Sequence, residues 1–177
     1  MPTIIATVGS ATANSFVTVA ECDAYCDGRS NADAWNLESD DDKKARALID
    51  ATRELSNKNW IGAGRVDATQ SLSWPRAFAL NPDLAWTGYA YYGTTEVPVR
   101  VKDATCELAL QWLIMGTTDL GALDPTLSIK RKRVDVLEKE YFDPGMRALG
   151  LERFPSVMRY IRPLLVGSGI SAPLVRS

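Results

Sequence analysis

The sequence predicts a mainly α protein, a small helical bundle of three to four main helices with a long central loop and one β-hairpin. Apolar residues recur at helical spacing in separate segments, which predicts the helices. Gly and Pro interrupt residues 62–98 at close intervals, which predicts the loop. Residues 129–145 combine β-branched and aromatic residues with a closing turn, which predicts the hairpin. With 177 residues, 46% of them hydrophobic, the chain can bury one core. We therefore predict a single domain over residues 1–166 and a flexible C-terminal tail over residues 167–177.

The first two helices are predicted from their N-terminal caps. The first covers residues 20–27, because Thr18 stands at the N-cap position and Glu21 completes a capping box. The second is predicted to begin at a capping box of Ser39 and Asp42, with an acidic first turn that suits the helix dipole. Its apolar face repeats at helical spacing and comprises Ala45, Leu48, Ile49, Thr52 and Leu55.

The third helix has the strongest apolar pattern and should be the central helix of the core. Pro98 takes the position of a first-turn proline, and Gly116 marks the end. Its core positions recur every three or four residues and are Val101, Ala104, Thr105, Leu108, Trp112 and Met115. A short fourth helix is predicted over residues 155–161, again with proline in its first turn.

Residues 62–98 show neither a helical nor a strand period and form the predicted central loop. A connection of this length is more often functional, or ordered by a partner, than idle. It carries the aromatic residues Trp74, Phe78, Trp86, Tyr89, Tyr91 and Tyr92. These rings could stack on the bases of single-stranded nucleic acid or fill a protein interface, and the lack of an accompanying basic groove favours the interface.

The predicted hairpin of residues 129–145 carries the most concentrated charge in the chain. A basic run precedes a group of acidic residues; the positions are Lys130, Arg131, Lys132, Arg133, Asp135, Glu138, Glu140 and Asp143. Three interpretations are open for the basic run. It could contact phosphates, it could be a solvated strand edge protected by charge, or it could face the acidic stretch of a neighbouring identical copy.

No catalytic or metal site can be assembled from the sequence. The chain has no histidine, the commonest general base and metal ligand. Cys22 and Cys26 lie four residues apart on one helical face, but two thiolates without further ligands do not make a zinc site, so core packing is favoured. Glu107 lies among core positions without an obvious acid or base partner. We expect no enzymatic activity, no metal and no cofactor.

Charge and composition also bear on the cellular compartment. A formal net charge of -2 gives no global attraction to nucleic acid. An odd number of cysteines and an opening "MPTIIATVGS" without the features of a signal peptide predict synthesis in a reducing cytoplasm. The longest charge-free apolar stretch, residues 108–118, is shorter than the roughly 20 residues of a membrane span, so no membrane association is expected.

Five segments together, in their order and spacing, resemble tailed-bacteriophage head-tail connector proteins. They read "ANSFVTVAECDAYCDGR", "ADAW", "KARALIDATRELSNKNWIGAGR", "QSLSWPR" and "VPVRVKDATCELALQWL". The likeness covers residues 13–115, and "FPSVMRYIRPLL" is more weakly similar. The same sequence group also carries the label DnaT-like single-stranded-DNA-binding.

The resemblance implies an adaptor, or head-completion, protein of the virion neck that is made in the host bacterial cytoplasm. Copies of such an adaptor form a ring, typically of about twelve, under the portal vertex of the DNA-filled head. The ring extends the DNA channel toward the stopper and tail proteins, and viral DNA passes through it. The implied partners are the portal protein, stopper or tail proteins, other copies of the chain and this DNA. A single-stranded-DNA-binding protein is the alternative.

Within the adaptor interpretation, each unusual segment receives a predicted role. Trp74 and Pro75 anchor the central loop in the core, and Arg76 points outward to a carboxylate or carbonyl. The charged hairpin contributes subunit contacts or the channel wall. The tail docks on the portal, because its apolar residues gain burial only on a partner; an idle frayed terminus is the alternative. The predicted portal-binding residues are Leu164, Leu165, Val166, Ile170, Leu174 and Val175.

Overall fold

The structure, a computed structural model, describes residues 2–84, 90–116 and 150–167, together with the backbone of residues 131–134 and 137–140. The helices are α1 (Val19–Asp27), α2 (Asp33–Asn36), α3 (Asp41–Ser56), α4 (Val99–Met115) and α5 (Pro155–Ile161). The strands are β1 (Gly64–Arg65), β2 (Arg76–Ala77), β3 (Arg131–Val134) and β4 (Leu137–Glu140). Short 3-10 helices, Gly150–Arg153 and Arg162–Leu164, flank α5. This mainly helical architecture with a small hairpin confirms the predicted fold class.

Local hydrogen bonds fix the starts of α1 and α3. At α1, the backbone N–H of Glu21 donates to the Thr18 hydroxyl at 3.2 Å, and the N–H of Thr18 donates to the Glu21 carboxylate at 2.8 Å. This capping box was predicted. The cap of α3 is Asp40, not the predicted Ser39, and its carboxylate accepts the N–H of Asp42 at 2.9 Å. A carboxylate also interacts favourably with the positive end of the helix dipole, which explains the one-residue difference.

Helix α4 is the centre of the bundle and contacts α1, α2, α3 and α5. Its predicted core positions are buried except Met115, which is half-buried, and the predicted apolar face of α3 is buried throughout. Pro98 is the N-cap of α4, so it precedes the first turn instead of filling it. At the other end Gly116 adopts φ +69°, and its N–H donates to the carbonyl oxygen of Trp112 at 2.8 Å.

The central loop folds back on itself and packs against the bundle. Strands β1 and β2 are antiparallel with Gly64 opposite Ala77, and Leu80 forms a bridge with Tyr91. Gly62 has φ +94°, and a Cβ atom there would lie 2.8 Å from the carbonyl oxygen of Ala77. Only glycine therefore fits this close approach. The loop has no sequence period because its strands are too short to show one.

Strands β3 and β4 form the predicted hairpin, in antiparallel register. Arg131 lies opposite Glu140, and Arg133 lies opposite Glu138. Positions of opposite charge are thus brought together within one chain, as in stabilising cross-strand pairs. Other members of the charged stretch lie outside the described residues, namely Lys130, Asp135 and Asp143.

In the part of the chain that the structure describes, no helix combines the length and apolar character that crossing a bilayer requires.

Candidate functional site in the central loop and at the start of the tail

Trp74 lies at the inner side of the central loop, with 1% of its surface exposed. Its ring is nearly perpendicular to the rings of Trp60 and Tyr92, at centroid distances of 5.7 and 5.9 Å. The peptide bond between Trp74 and Pro75 is cis. Edge-to-face aromatic contacts add to the stabilisation that comes from burying a large ring. Trp74 therefore occupies the position that an anchor of the loop requires.

Arg76 bonds to backbone oxygens of the segment that follows α3. Its Nε donates to the carbonyl of Ile61 at 2.8 Å, and its Nη2 donates to that of Trp60 at 3.4 Å. Of the two partners predicted for Arg76, a carboxylate or a carbonyl, the structure provides the carbonyl. The side chain is half-buried, and this burial, followed by the nearby charge of Arg65, lowers the pKa of Arg76.

The segment that Arg76 binds also holds the start of the tail. The N–H of Ile61 donates to the carbonyl of Leu164 at 2.9 Å, and the N–H of Val166 donates to that of Asn59 at 2.8 Å. Leu164 is fully buried, so it is a core residue and is not exposed for docking, whereas Val166 is 65% exposed. The tail thus leaves the domain from a fixed antiparallel pairing. The remaining predicted portal-binding residues lie outside the described residues and are Ile170, Leu174 and Val175.

The outer part of the central loop exposes two aromatic rings, and one of them, Phe78, directly follows β2, the strand of Arg76. We call Arg65, Arg76, Phe78 and Tyr91 the arginine–aromatic surface. Phe78 and Tyr91 are 70% and 49% exposed, and their rings meet edge to face at 6.0 Å. Phe78 has φ +53°, a left-handed conformation that phenylalanine rarely adopts and that suggests a functional constraint. Arg65 and Arg76 are directly opposite each other in the β1–β2 ladder.

Most other described cations already have acidic partners. The lysine and arginine side chains in salt bridges are Arg29, Lys43, Lys44, Arg46, Arg53, Lys58, Arg100, Lys102 and Arg162. Arg65 and Arg76 have no carboxylate partner among the described residues and donate to backbone carbonyls instead. Nucleic-acid affinity arises mainly from cations that contact phosphates. The described residues therefore offer few unpaired cations that could contact phosphates.

A buried carboxylate links three helices beneath the surface. Glu107 of α4 is fully buried and accepts hydrogen bonds from Arg29 Nη2 at 3.0 Å and from Tyr25 Oη at 2.7 Å. Tyr160 of α5 lies 3.2 Å from the Tyr25 hydroxyl. Burial alone would raise the pKa of Glu107, but the hydrogen bonds from Arg29 and Tyr25, and the charge of Arg29, hold it below its ordinary value of 4.5. These partners are not obvious from the sequence, because Tyr25 and Arg29 are 82 and 78 residues away from Glu107.

The cysteines are free and buried, which confirms that Cys22 and Cys26 pack in the core. Hydrogen bonds with the thiols of Cys106 and Cys26, together with burial, raise the pKa of Cys22. The three cysteines are therefore buried groups of the core. Among the described residues, no group of three or more Cys, Asp or Glu side chains is arranged to hold a metal ion.

The chain matches the model of a known protein family. The model of a family described as "Putative DnaT-like ssDNA binding protein" matches residues 1–177. No curated protein and no solved structure matches the chain. The matched region includes the central loop, the buried link at Glu107 and the start of the tail.

Proposed function

The chain belongs to the DnaT-like ssDNA-binding protein family along its whole length, and we propose that it acts as the adaptor of a tailed-bacteriophage neck. In this role it joins the portal vertex of the head to the stopper or tail and extends the DNA channel. One observation carries the proposal. The segments that resemble connector proteins, "NWIGAGR" and "QSLSWPR", are those whose residues Trp60, Ile61, Trp74 and Arg76 hold the start of the tail.

Such an adaptor works through geometry. Because the tail leaves the domain at a fixed position, every copy in a ring presents it at the same place. Apolar tail residues gain burial only when they dock, so docking and ordering become one event. Many weak contacts around a closed ring give an avidity that one copy lacks. We therefore expect a largely monomeric protein in isolation and a ring of about twelve copies on the portal.

The tail provides a direct test. In a tail variant, Ile170→Ser, Leu174→Ser and Val175→Ser remove its apolar side chains, and a control variant carries Ser168→Ala and Ser171→Ala instead. We expect the tail variant to lose co-sedimentation with the portal protein, with its far-UV circular dichroism and melting temperature unchanged. The control should bind. Full portal binding by the tail variant, or by a chain truncated before residue 167, would contradict the proposed docking.

Electron cryomicroscopy of the chain mixed with its portal protein tests the proposal as a whole. A closed ring seated on the portal is the expected result. Stable closed rings of the free protein at micromolar concentration, observed by light scattering, would count against assembly that waits for the portal.

Single-stranded-DNA binding is the second candidate, and the arginine–aromatic surface favours it. Phe78 and Tyr91 expose rings on which bases could stack, and Arg65 has no acidic partner among the described residues. Two phosphate contacts predict a log–log salt slope of only about −1.4 for a single strand. Fluorescence anisotropy with an oligo-dT probe at several salt concentrations measures that slope. Binding that is lost in Phe78→Ala and Arg65→Ala would support this function, and no binding at low salt would eliminate it.

A further inference from the structure

The arginine–aromatic surface has the properties of an interface that lacks its partner. Tyrosine, phenylalanine and arginine are enriched at the centres of protein interfaces, and Phe78 is held exposed in a strained backbone conformation. Its two arginines bond only to backbone carbonyls among the described residues, so a carboxylate would be a favourable additional partner. The surface therefore fits an apolar side chain accompanied by acidic residues.

The same chain carries such a group at the junction of α2 and α3. Leu37 is 82% exposed, more than any other large hydrophobic residue that the structure describes. Asp41 and Asp42 follow in the first turn of α3 and have no basic partner among the described residues. We call Leu37, Asp41 and Asp42 the acidic corner.

The acidic corner and the arginine–aromatic surface lie toward opposite ends of α3. This helix has 16 residues and is therefore about 24 Å long. Its N-terminus carries the acidic corner. Its C-terminus leads to Trp60, whose ring contacts Trp74 and whose carbonyl accepts a hydrogen bond from Arg76. With a helix between them, the two groups cannot meet within one chain, but they can meet between copies.

We propose that the acidic corner of one copy docks on the arginine–aromatic surface of the next copy. Leu37 packs against Phe78 and Tyr91, while Asp41 and Asp42 face the arginines. A contact between two different surfaces is heterologous, and such contacts close into rings when the rotation between copies allows it. The ring that this contact builds rests on the proposed function, although the contact itself can be measured without a portal.

Site-directed cross-linking tests the contact with its docking residues intact. Ser39→Cys places a thiol beside the acidic corner, and Val66→Cys places one beside Arg65; both positions are exposed. The native cysteines are buried, so a short bismaleimide reagent should reach only the introduced thiols. We expect a cross-linked dimer when the two variants are mixed and none from either variant alone. A chain carrying both substitutions should give a ladder of oligomers.

Controls separate a specific contact from collision. Val99→Cys, at a position that is 70% exposed but outside both groups, should give no product with Ser39→Cys. Adding Phe78→Ala to the Val66→Cys chain should lower the cross-linking rate about tenfold. Adding Arg65→Glu should lower the rate by a similar factor, and Asp41→Lys in the Ser39→Cys chain should then restore it, because the charges are exchanged.

The outcomes distinguish this contact from the proposed function. Cross-linking of either single variant with itself, or equal yields with Val99→Cys, would overturn the head-to-tail contact. No product from the mixture, in a protein that still forms rings on the portal, would overturn the contact and leave the adaptor function standing. Specific cross-linking without portal binding would support the contact and contradict the adaptor function.

Discussion

Removing Arg29 should strongly destabilise the bundle, because it leaves a buried carboxylate with one partner fewer. The Glu107 side chain has no exposed surface, whereas the Arg29 side chain is 24% exposed. Breaking a buried ion pair from one side costs about 3 to 5 kcal/mol of unfolding free energy. Tyr25, which donates to Glu107 at 2.7 Å in the parent chain, is kept in the variant, so we expect the lower end, about 3 kcal/mol, for Arg29→Met. For a chain of this size that loss lowers the melting temperature by about 6 to 12 °C.

Removing Glu107 in place of Arg29 should cost less unfolding free energy. Glu107→Met leaves a partly exposed guanidinium that water can reach, so we expect about 1 to 2 kcal/mol. The double variant should be more stable than the sum of the two single losses predicts, since no buried charge remains. Urea unfolding followed by circular dichroism measures each free energy. Arg53→Met is the matched control, because its side chain is 72% exposed in an ion pair with Asp50, and we expect a loss within about 0.5 kcal/mol.

Lowering the pH should reduce the difference in unfolding free energy between the parent chain and the Arg29→Met variant. The pKa of Glu107 is lowered in the folded chain, so its ion pair contributes stability that is fully present above the ordinary value of 4.5. That contribution is lost as the pH falls through the folded-state pKa, where the carboxylate becomes neutral. If Arg29→Met costs no more than Arg53→Met at pH 7, or if its cost grows below pH 4.5, the assignment of a buried ionised Glu107 is wrong.

One further substitution and one thiol reagent test the core. Trp74→Ala should cost about 3 to 5 kcal/mol of unfolding free energy through the cavity that it creates beside Trp60 and Tyr92. Unchanged thermal stability and unchanged ring assembly would show that Trp74 does not anchor the loop. The three cysteines should be unreactive toward a thiol reagent in the folded chain and fully reactive in urea, because all are buried in the folded chain. A thiol that reacts at once in the native protein would contradict their core positions.

The helices could be predicted because the signals that specify them are local. The capping box of α1 lies within four residues, and the apolar face of α4 repeats over 17. The structure begins α3 one residue later than predicted. Ser39 and Asp40 are both good caps, and the carboxylate of Asp40 also interacts favourably with the helix dipole.

The candidate site could be predicted only in part, because most of its contacts are distant in sequence. Trp74 beside Pro75 indicated an anchored loop, but the carbonyls that Arg76 binds lie 15 and 16 residues earlier in the chain. Arg29 is 78 residues from Glu107. The pairing that holds the start of the tail consists of backbone hydrogen bonds over a few residues, and such short bridges leave no pattern in the side chains.

The segment "QSLSWPR" packs into the core and leads directly to the surface that we propose for a second copy. Trp74 packs inward, and Arg76 holds the carbonyls of Trp60 and Ile61, next to the backbone that pairs with the start of the tail. Phe78, two residues further on, is exposed. A partner that engages the tail and a copy that engages Phe78 would therefore act on the same short stretch of backbone. Trp74 fixes that stretch to the core, so one rigid segment presents both places.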